Sequence, residues 1–158
     1  MQFPPQLNQT VKFGLAYFPV GLFVGIFISF NAVDNGYEYF YVSSGVSAFV
    51  TASFFWWLLA SKQEVITLLR CCSIGFLTGT FSHYICWYMI TVFPYLSNLG
   101  KRFVGINSAE ETVNLIEAFE ISGMLSFFSL FFVGWLTIIS GVIISIVFKK
   151  LGGIHGAP

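Results

Sequence analysis

Four long apolar stretches dominate the sequence and limit what it can fold into. They cover about residues 13–33, 39–60, 71–93 and 121–148. Each is long enough to cross roughly 30 Å of hydrocarbon as an α-helix that rises about 1.5 Å per residue. Unpaired backbone groups are costly in lipid, so each stretch is expected to be helical. The alternation of a membrane-spanning strand is absent. The sequence therefore predicts an all-α integral membrane protein, a four-helix transmembrane bundle formed as a single domain.

The composition supports a bilayer environment. Hydrophobic residues make up 56% of the 158 residues and charged residues only 9%, whereas a soluble domain carries roughly 25% charged residues. Seven basic and seven acidic residues give a net charge of zero, with no basic stripe to meet nucleic-acid phosphates. We therefore expect the lipid bilayer as the surroundings, in a plasma or inner membrane rather than an organelle, and no nucleic-acid partner.

Basic residues between the spans predict the orientation. With the N-terminus inside, the inner segments hold five of them, namely Lys12, Lys62, Arg70, Lys149 and Lys150. The outer segments hold Lys101 and Arg102. Cytoplasmic loops of membrane proteins carry an excess of Lys and Arg. The pattern predicts a multi-pass chain with both termini inside.

The long connection over residues 94–120 is predicted to follow a third span that stops at Pro94. Ser108 and Glu111 have the spacing of a capping box, which predicts a helix that begins near Ala109 and continues into the fourth span, or else a short interfacial helix. On that helix Glu110, Asn114 and Glu117 fall on one face. Together with Lys101 and Arg102 they form a candidate docking face for a partner. The tail over residues 151–158 is expected to be flexible.

Small residues at helical spacing indicate close packing between spans. The first span has Gly21 and Gly25, and the third has Gly75 and Gly79. The fourth carries a series of small and hydroxyl residues, namely Ser122, Ser126, Ser129, Thr137, Gly141 and Ser145. Such residues let helix backbones approach and let hydroxyls bond to neighbouring helices. The stripes predict packing inside the chain, with contacts to a second copy or a partner protein as the alternatives. Pro19 is expected to bend the first span.

His83 is the main candidate for chemistry because ionisable residues at membrane depth are costly. It lies near the middle of the third span beside Tyr84 and one helical turn from Cys86, and these three residues form a candidate intramembrane polar site. A neutral imidazole can relay protons or accept a hydrogen bond from a substrate. The alternative is that His83 donates to a carbonyl or hydroxyl on another span and fixes the packing.

Several classes of site lack the residues they need. A second haem ligand is missing, because the other histidine is His155 in the tail. The three cysteines, Cys71, Cys72 and Cys86, do not combine with His83 at a zinc spacing. We expect reduced thiols, with acylation of Cys71 and Cys72 as an alternative to unmodified residues. Small multidrug exporters need a carboxylate in the first span, and none lies there. The sequence predicts neither a cofactor nor a bound metal.

These observations favour a non-enzymatic protein that acts through helix–helix contacts. It would be an accessory subunit, an assembly factor or a membrane-protection protein of the immunity type, with a membrane-protein partner or a second copy of itself. The alternative is a small oligomeric transporter or channel that uses His83 and the hydroxyls of the fourth span. A membrane enzyme is the third hypothesis, but no nucleophile with an adjacent base is visible.

Overall fold

The computed structural model describes residues 5–31, 40–61, 63, 65–103 and 113–152, except for the side chains at 5–7, 102, 103 and 152. The described residues are helical apart from short turns and contain no strand. Helix α1 runs over Pro5–Asn31, α2 over Phe40–Leu59 and α3 over Leu68–Phe103. Helix α4, Leu115–Ser129, continues through a π-helical turn, Leu130–Gly134, into α5, Trp135–Gly152. For this part of the chain the all-α prediction is confirmed.

Three helical segments are long and apolar enough to cross a membrane. They are Asn8–Asn31, Phe40–Leu59 and Leu115–Leu151. Helix α3 has 36 residues and is long enough, but it is not apolar enough to qualify, so the prediction of four such stretches is confirmed for three only. The physical reason is the run of polar side chains in its middle, which includes Thr78, Thr80 and His83.

Prolines do not interrupt the helices as the sequence led us to expect. Helix α3 does not stop at Pro94 but continues through it to Phe103. A proline removes only one backbone donor, and packing against a neighbour can offset that loss. Here Thr91, one turn before Pro94, bonds across to Ser122 of α4 with 2.9 Å between the hydroxyl oxygens. Helix α1 likewise runs through Pro19 without interruption.

The capping box that starts α4 lies six residues later than predicted. The Asn114 side-chain oxygen accepts from the backbone N–H groups of Ile116 and Glu117, at 3.0 and 2.9 Å. The Glu117 carboxylate in turn accepts from the Asn114 backbone N–H at 3.2 Å. Because residues 113 and 114 are not helical, no continuous helix runs from Ala109 into the fourth apolar stretch. The predicted box at residues 108–111 lies outside the described residues, as does most of the tail at 151–158.

Small residues bring the helices into contact in two seams. Helix α1 packs on α2, and a Cβ added to Gly21 would lie 2.6 Å from the carbonyl oxygen of Ser44. The Ser44 hydroxyl donates to the Gly21 carbonyl at 2.7 Å. Helix α3 packs on α5, where a Cβ at Gly75 would lie 2.5 Å from the backbone nitrogen of Val142. The prediction that the small-residue stripes pack inside the chain is confirmed at these positions.

An aromatic cluster and a tyrosine join α1 to α5. The rings of Phe13 and Trp56 stack with centroids 4.2 Å apart, and the ring of Phe148 meets both at 5.0–5.1 Å. One turn further along α1, the Tyr17 hydroxyl donates to the Gly141 carbonyl and lies 2.8 Å from the Ser145 hydroxyl. With α2 packed on α3, and α3 on both α4 and α5, the four helical rods form a closed ring.

Candidate functional site: the polar centre around His83

His83 lies buried on α3, with only 8% of its surface exposed, and both of its ring nitrogens have partners. Its Nδ1 lies 2.7 Å from the Ser129 hydroxyl, and its Nε2 lies 2.8 Å from the Thr137 hydroxyl. Ser129 is the last residue of α4 and Thr137 is in the first turn of α5. The imidazole therefore bridges the two ends of the π-helical turn. Pairing with hydroxyls on another helix was one of the two readings of His83 that the sequence left open.

A small cavity adjoins His83 at the centre of the ring of helices. Its volume is about 30 Å³. This is room for two or three water molecules, since one water needs roughly 10–15 Å³ by this measure. Its walls come from α1, α2, α3 and α5, and the lining residues that carry polar side-chain atoms are Ser44, Ser47, Ser82, His83, Cys86, Trp87 and Thr137. The cavity is too small for an organic substrate.

Most of the hydroxyls around the cavity are already engaged. The Ser44 hydroxyl donates to Gly21, that of Ser47 to the Ser44 carbonyl at 3.0 Å, and that of Ser82 to the Gly79 carbonyl at 3.2 Å. What they still offer is acceptor lone pairs, and these suit a water molecule. The protons of these hydroxyls are therefore used within the chain, and the groups can serve the cavity only as hydrogen-bond acceptors.

Of the three residues of the predicted intramembrane site, the structure keeps His83 and Cys86 together and places Tyr84 elsewhere. Cys86 is a buried free thiol and lines the same cavity as His83. Tyr84 instead faces α4, where its hydroxyl donates to the Phe119 carbonyl at 3.4 Å and its ring meets that of Phe119 edge-on. Sequence reasoning missed the α2 serines at 44 and 47 as part of the site. The signal for these serines lay in the second apolar stretch, 39–60, where hydroxyl residues are mixed with glycine and alanine.

The predicted docking face is only partly described. Lys101 is exposed near the end of α3, whereas the side chain of Arg102 and all of Glu110 lie outside the described residues. Asn114 and Glu117 bond to each other at the start of α4, so both serve the helix end. Asn114 is the cap itself, and it therefore does not share a helical face with Glu117 as predicted.

Neither a group of metal ligands nor a match to a known protein indicates an activity for this polar centre. Within residues 5–31, 40–61, 63, 65–103 and 113–152, no three His, Cys, Asp or Glu side chains are grouped to hold a metal ion. Comparison with protein-family models, with curated proteins and with solved structures found no significant match.

Proposed function

We propose that the protein is a four-span membrane protein, with both termini inside, that acts by binding a membrane-protein partner. In this role it would be an accessory subunit, an assembly factor or a membrane-protection protein of the immunity type. The observation that carries the proposal is a pair of helices that extends past the rest of the bundle and exposes apolar side chains. Charge supports the orientation, because Lys12, Arg70, Lys149 and Lys150 lie at one end of the bundle and Lys101 at the other.

Helix α3 would be the fourth span despite its lower hydropathy. Two of its polar side chains bond to other helices: His83 bonds to Ser129 and Thr137, and Thr91 bonds to Ser122. The large side chains that it exposes between residues 71 and 93 are apolar, namely Phe76, Phe81, Met89 and Phe93. A helix that hides its polar atoms against three neighbours does not need a high mean hydropathy to be stable in lipid.

The extended pair consists of residues 92–103 of α3 and residues 115–121 of α4, which we call the outer hairpin. The ring of Phe40, the first residue of α2, meets that of Trp87 with centroids 5.4 Å apart. Helix α3 then continues through residues 88–103, about 24 Å at 1.5 Å per residue. Helix α1 continues past the contact between Gly25 and Tyr41 only through residues 26–31, about 9 Å. The outer hairpin therefore projects roughly 15 Å beyond α1.

This projection places apolar side chains where lipid tails would not reach. Helix α2, with 20 residues, is about 30 Å long, which matches the hydrocarbon thickness by itself. Beyond its outer end the hairpin still exposes several large apolar residues, namely Leu96, Leu99, Leu115 and Ile116. Contiguous apolar patches outside the bilayer are typical of protein–protein contacts. Exposed Lys101 and Glu120 at the rim would give the contact its specificity.

The partner proposal is tested by purifying the tagged protein at native expression in mild detergent and identifying what co-purifies. Ile116→Ala together with Leu99→Ala should reduce the recovery of a stoichiometric partner severalfold. Ile139→Ala removes a similarly exposed side chain from α5, at membrane depth, and should leave recovery unchanged. Lys101→Ala and Glu110→Ala should also weaken the complex. Glu117 is a poorer choice because its loss would also unwind the start of α4. A chain that purifies alone, or a partner indifferent to all of these changes, would refute the proposal.

A separate experiment tests whether α3 crosses the membrane. Arg70→Cys and Lys101→Cys place thiols at opposite ends of this helix, and a membrane-impermeant maleimide applied to intact cells should label only the second. Labelling of both from the same side would show that α3 does not cross.

A small transporter or channel is the second candidate, favoured by the polar cavity beside His83. Against it, both imidazole nitrogens are occupied, and the cavity has room for only about two or three waters. Reconstituted protein decides between the two candidates. A solute flux that His83→Ala abolishes would establish transport, and the absence of any flux would leave the partner-binding role.

A further inference from the structure

The π-helical turn corrects the register of the hydroxyl series on α4 and α5. Ser129 and Thr137 are eight residues apart, which in an uninterrupted α-helix would place their side chains about 80° apart around the axis. A π turn absorbs one extra residue. The step then behaves as seven residues, and the two side chains come within about 20° of each other. Both hydroxyls therefore reach the same imidazole.

The same correction aligns the rest of the series. Ser122, Ser126 and Ser129 precede the turn at steps of four and three residues, and Thr137, Gly141 and Ser145 follow it at steps of four, so each set lies along one face of its helix. Without the correction, Leu136 would take the place of Thr137 opposite His83. Ser140 would likewise replace Gly141. A side chain does not fit at that place, because even a Cβ added to Gly141 would lie only 2.8 Å from the Gly75 carbonyl oxygen. An uninterrupted helix of this sequence could not make the observed seam with α3.

The hydrogen bonds around His83 have one consistent direction. We assign the single proton of the Thr137 hydroxyl to the Gly134 carbonyl, at 2.9 Å, and in this assignment the Thr137 oxygen accepts from the Nε2–H of His83. The neutral ring then carries no proton on Nδ1, which accepts from the Ser129 hydroxyl. The bonds therefore run from the end of α4, through the imidazole, to Gly134 inside the π turn.

We infer that His83 is a positioning residue that clamps the π-helical turn between Ser129 and Thr137 and so fixes the rotation of α5 relative to α4. The imidazole reaches both sides of the turn from α3. Its chain of hydrogen bonds starts and ends within one continuous helical element. That geometry suits a clamp rather than a proton path, which would have to reach the surface at both ends.

Single-residue deletions test the register. Deleting Phe131, an exposed residue of the π turn, leaves an ordinary α-helix that keeps Ser129, Thr137 and Gly141 in line. We expect the melting temperature of the purified protein to stay within about 2–4 °C of the parent. Deleting Ile139, which is also exposed, rotates Gly141 and Ser145 by about 100°. Because several contacts are then lost, the melting temperature should fall by more than about 10 °C. Equal behaviour of the two deletions would overturn the inference.

A double-variant comparison tests the clamp itself. His83→Ala should lower the melting temperature of the full-length chain by about 2–4 °C more than it lowers that of the Phe131 deletion. The deletion variant no longer has a π turn to hold, so there the substitution removes only two hydrogen bonds. An equal fall in both backgrounds would show that His83 packs but does not clamp.

Nitrogen NMR of the histidine-labelled chain reads the bond direction without depending on stability. The His83 signal is isolated with His155→Ala, which removes the only other histidine. A one-bond coupling to hydrogen is expected on Nε2 and not on Nδ1. The opposite tautomer, or a ring that exchanges between both, would contradict the assigned direction and with it the bond to Gly134.

Discussion

Replacing Gly75 by alanine tests the close seam between α3 and α5. The added methyl group would lie 2.5 Å from the Val142 nitrogen and 2.7 Å from the Gly141 carbonyl carbon. All of the nearest atoms belong to backbone, so no side chain can move aside, and the two helices must separate by about 1 Å to reach ordinary contact. The bonds that cross this seam would lengthen with the separation.

The expected loss of stability follows from three contributions. Overpacking costs about 1–3 kcal/mol. Weakening the hydrogen bond between His83 and Thr137, which crosses this seam, adds about 0.6 kcal/mol, the average for bonds between membrane helices. The higher helix propensity of alanine offsets up to about 1 kcal/mol. The net effect should be a destabilisation of about 1–3 kcal/mol.

Gly123 provides the matched control. A Cβ added there has as its nearest neighbour a carbon of the Tyr84 ring at 4.0 Å, which is ordinary contact. Gly123→Ala should therefore be neutral, or stabilising by up to about 1 kcal/mol. Unfolding by SDS in mixed micelles, followed by circular dichroism, measures both variants. If Gly75→Ala proves as stable as Gly123→Ala, the seam is looser than the structure indicates and the argument from backbone contact is wrong.

Three further predictions concern the tyrosine bridge, the helix cap and the thiols. Tyr17→Phe removes the hydroxyl that bonds to Gly141 and Ser145 and should cost about 1 kcal/mol in the same unfolding assay, whereas Tyr41→Phe, at an exposed position, should cost little. Asn114→Ala should destabilise the start of α4 by about 1 kcal/mol, seen as faster hydrogen exchange at Ile116 and Glu117 but unchanged exchange in α2. Cys72 is half-buried while Cys71 and Cys86 are buried, so mass spectrometry should find one iodoacetamide adduct on the folded protein in detergent. That adduct should disappear in Cys72→Ser, and three adducts should appear only after unfolding.

The apolar stretches predicted the helices well because lipid-compatible runs of this length have few alternatives. The expected bounds of the second stretch, 39–60, differ by a single residue at each end from Phe40–Leu59. Boundaries set by polar residues were harder to predict. Ser108 and Asn114 are both good caps with a glutamate three residues later, and local sequence does not show which one forms the box. Pro94 illustrates the opposite error, since its effect depends on whether a neighbouring helix supports the chain on either side of it.

The sequence identified His83 as the residue at the polar centre, but it did not show which side chains surround it. His83 stood out as an ionisable side chain in an apolar run, yet its partners depend on how far α5 is rotated. The signal was present in the hydroxyl series, which steps by four and three residues up to Ser129 and then by eight to Thr137. A step of seven would have continued the stripe in an α-helix, so the extra residue marks the π turn. Tyr84 was misplaced because adjacent residues on a helix point about 100° apart.

The low hydropathy of α3 has a consequence for how such a chain would be made. A segment with a histidine and several hydroxyls near its centre partitions poorly into lipid when it leaves the ribosome alone. Its polar partners, Ser122, Ser129 and Thr137, are synthesised only later. If the chain spans the membrane as proposed, insertion of α3 would therefore wait for α4 and α5 and proceed as a paired step, while α1 and α2 would enter first as an independent hairpin. A nascent chain cut short after Phe103 would leave α3 without these partners, exposed to membrane quality control.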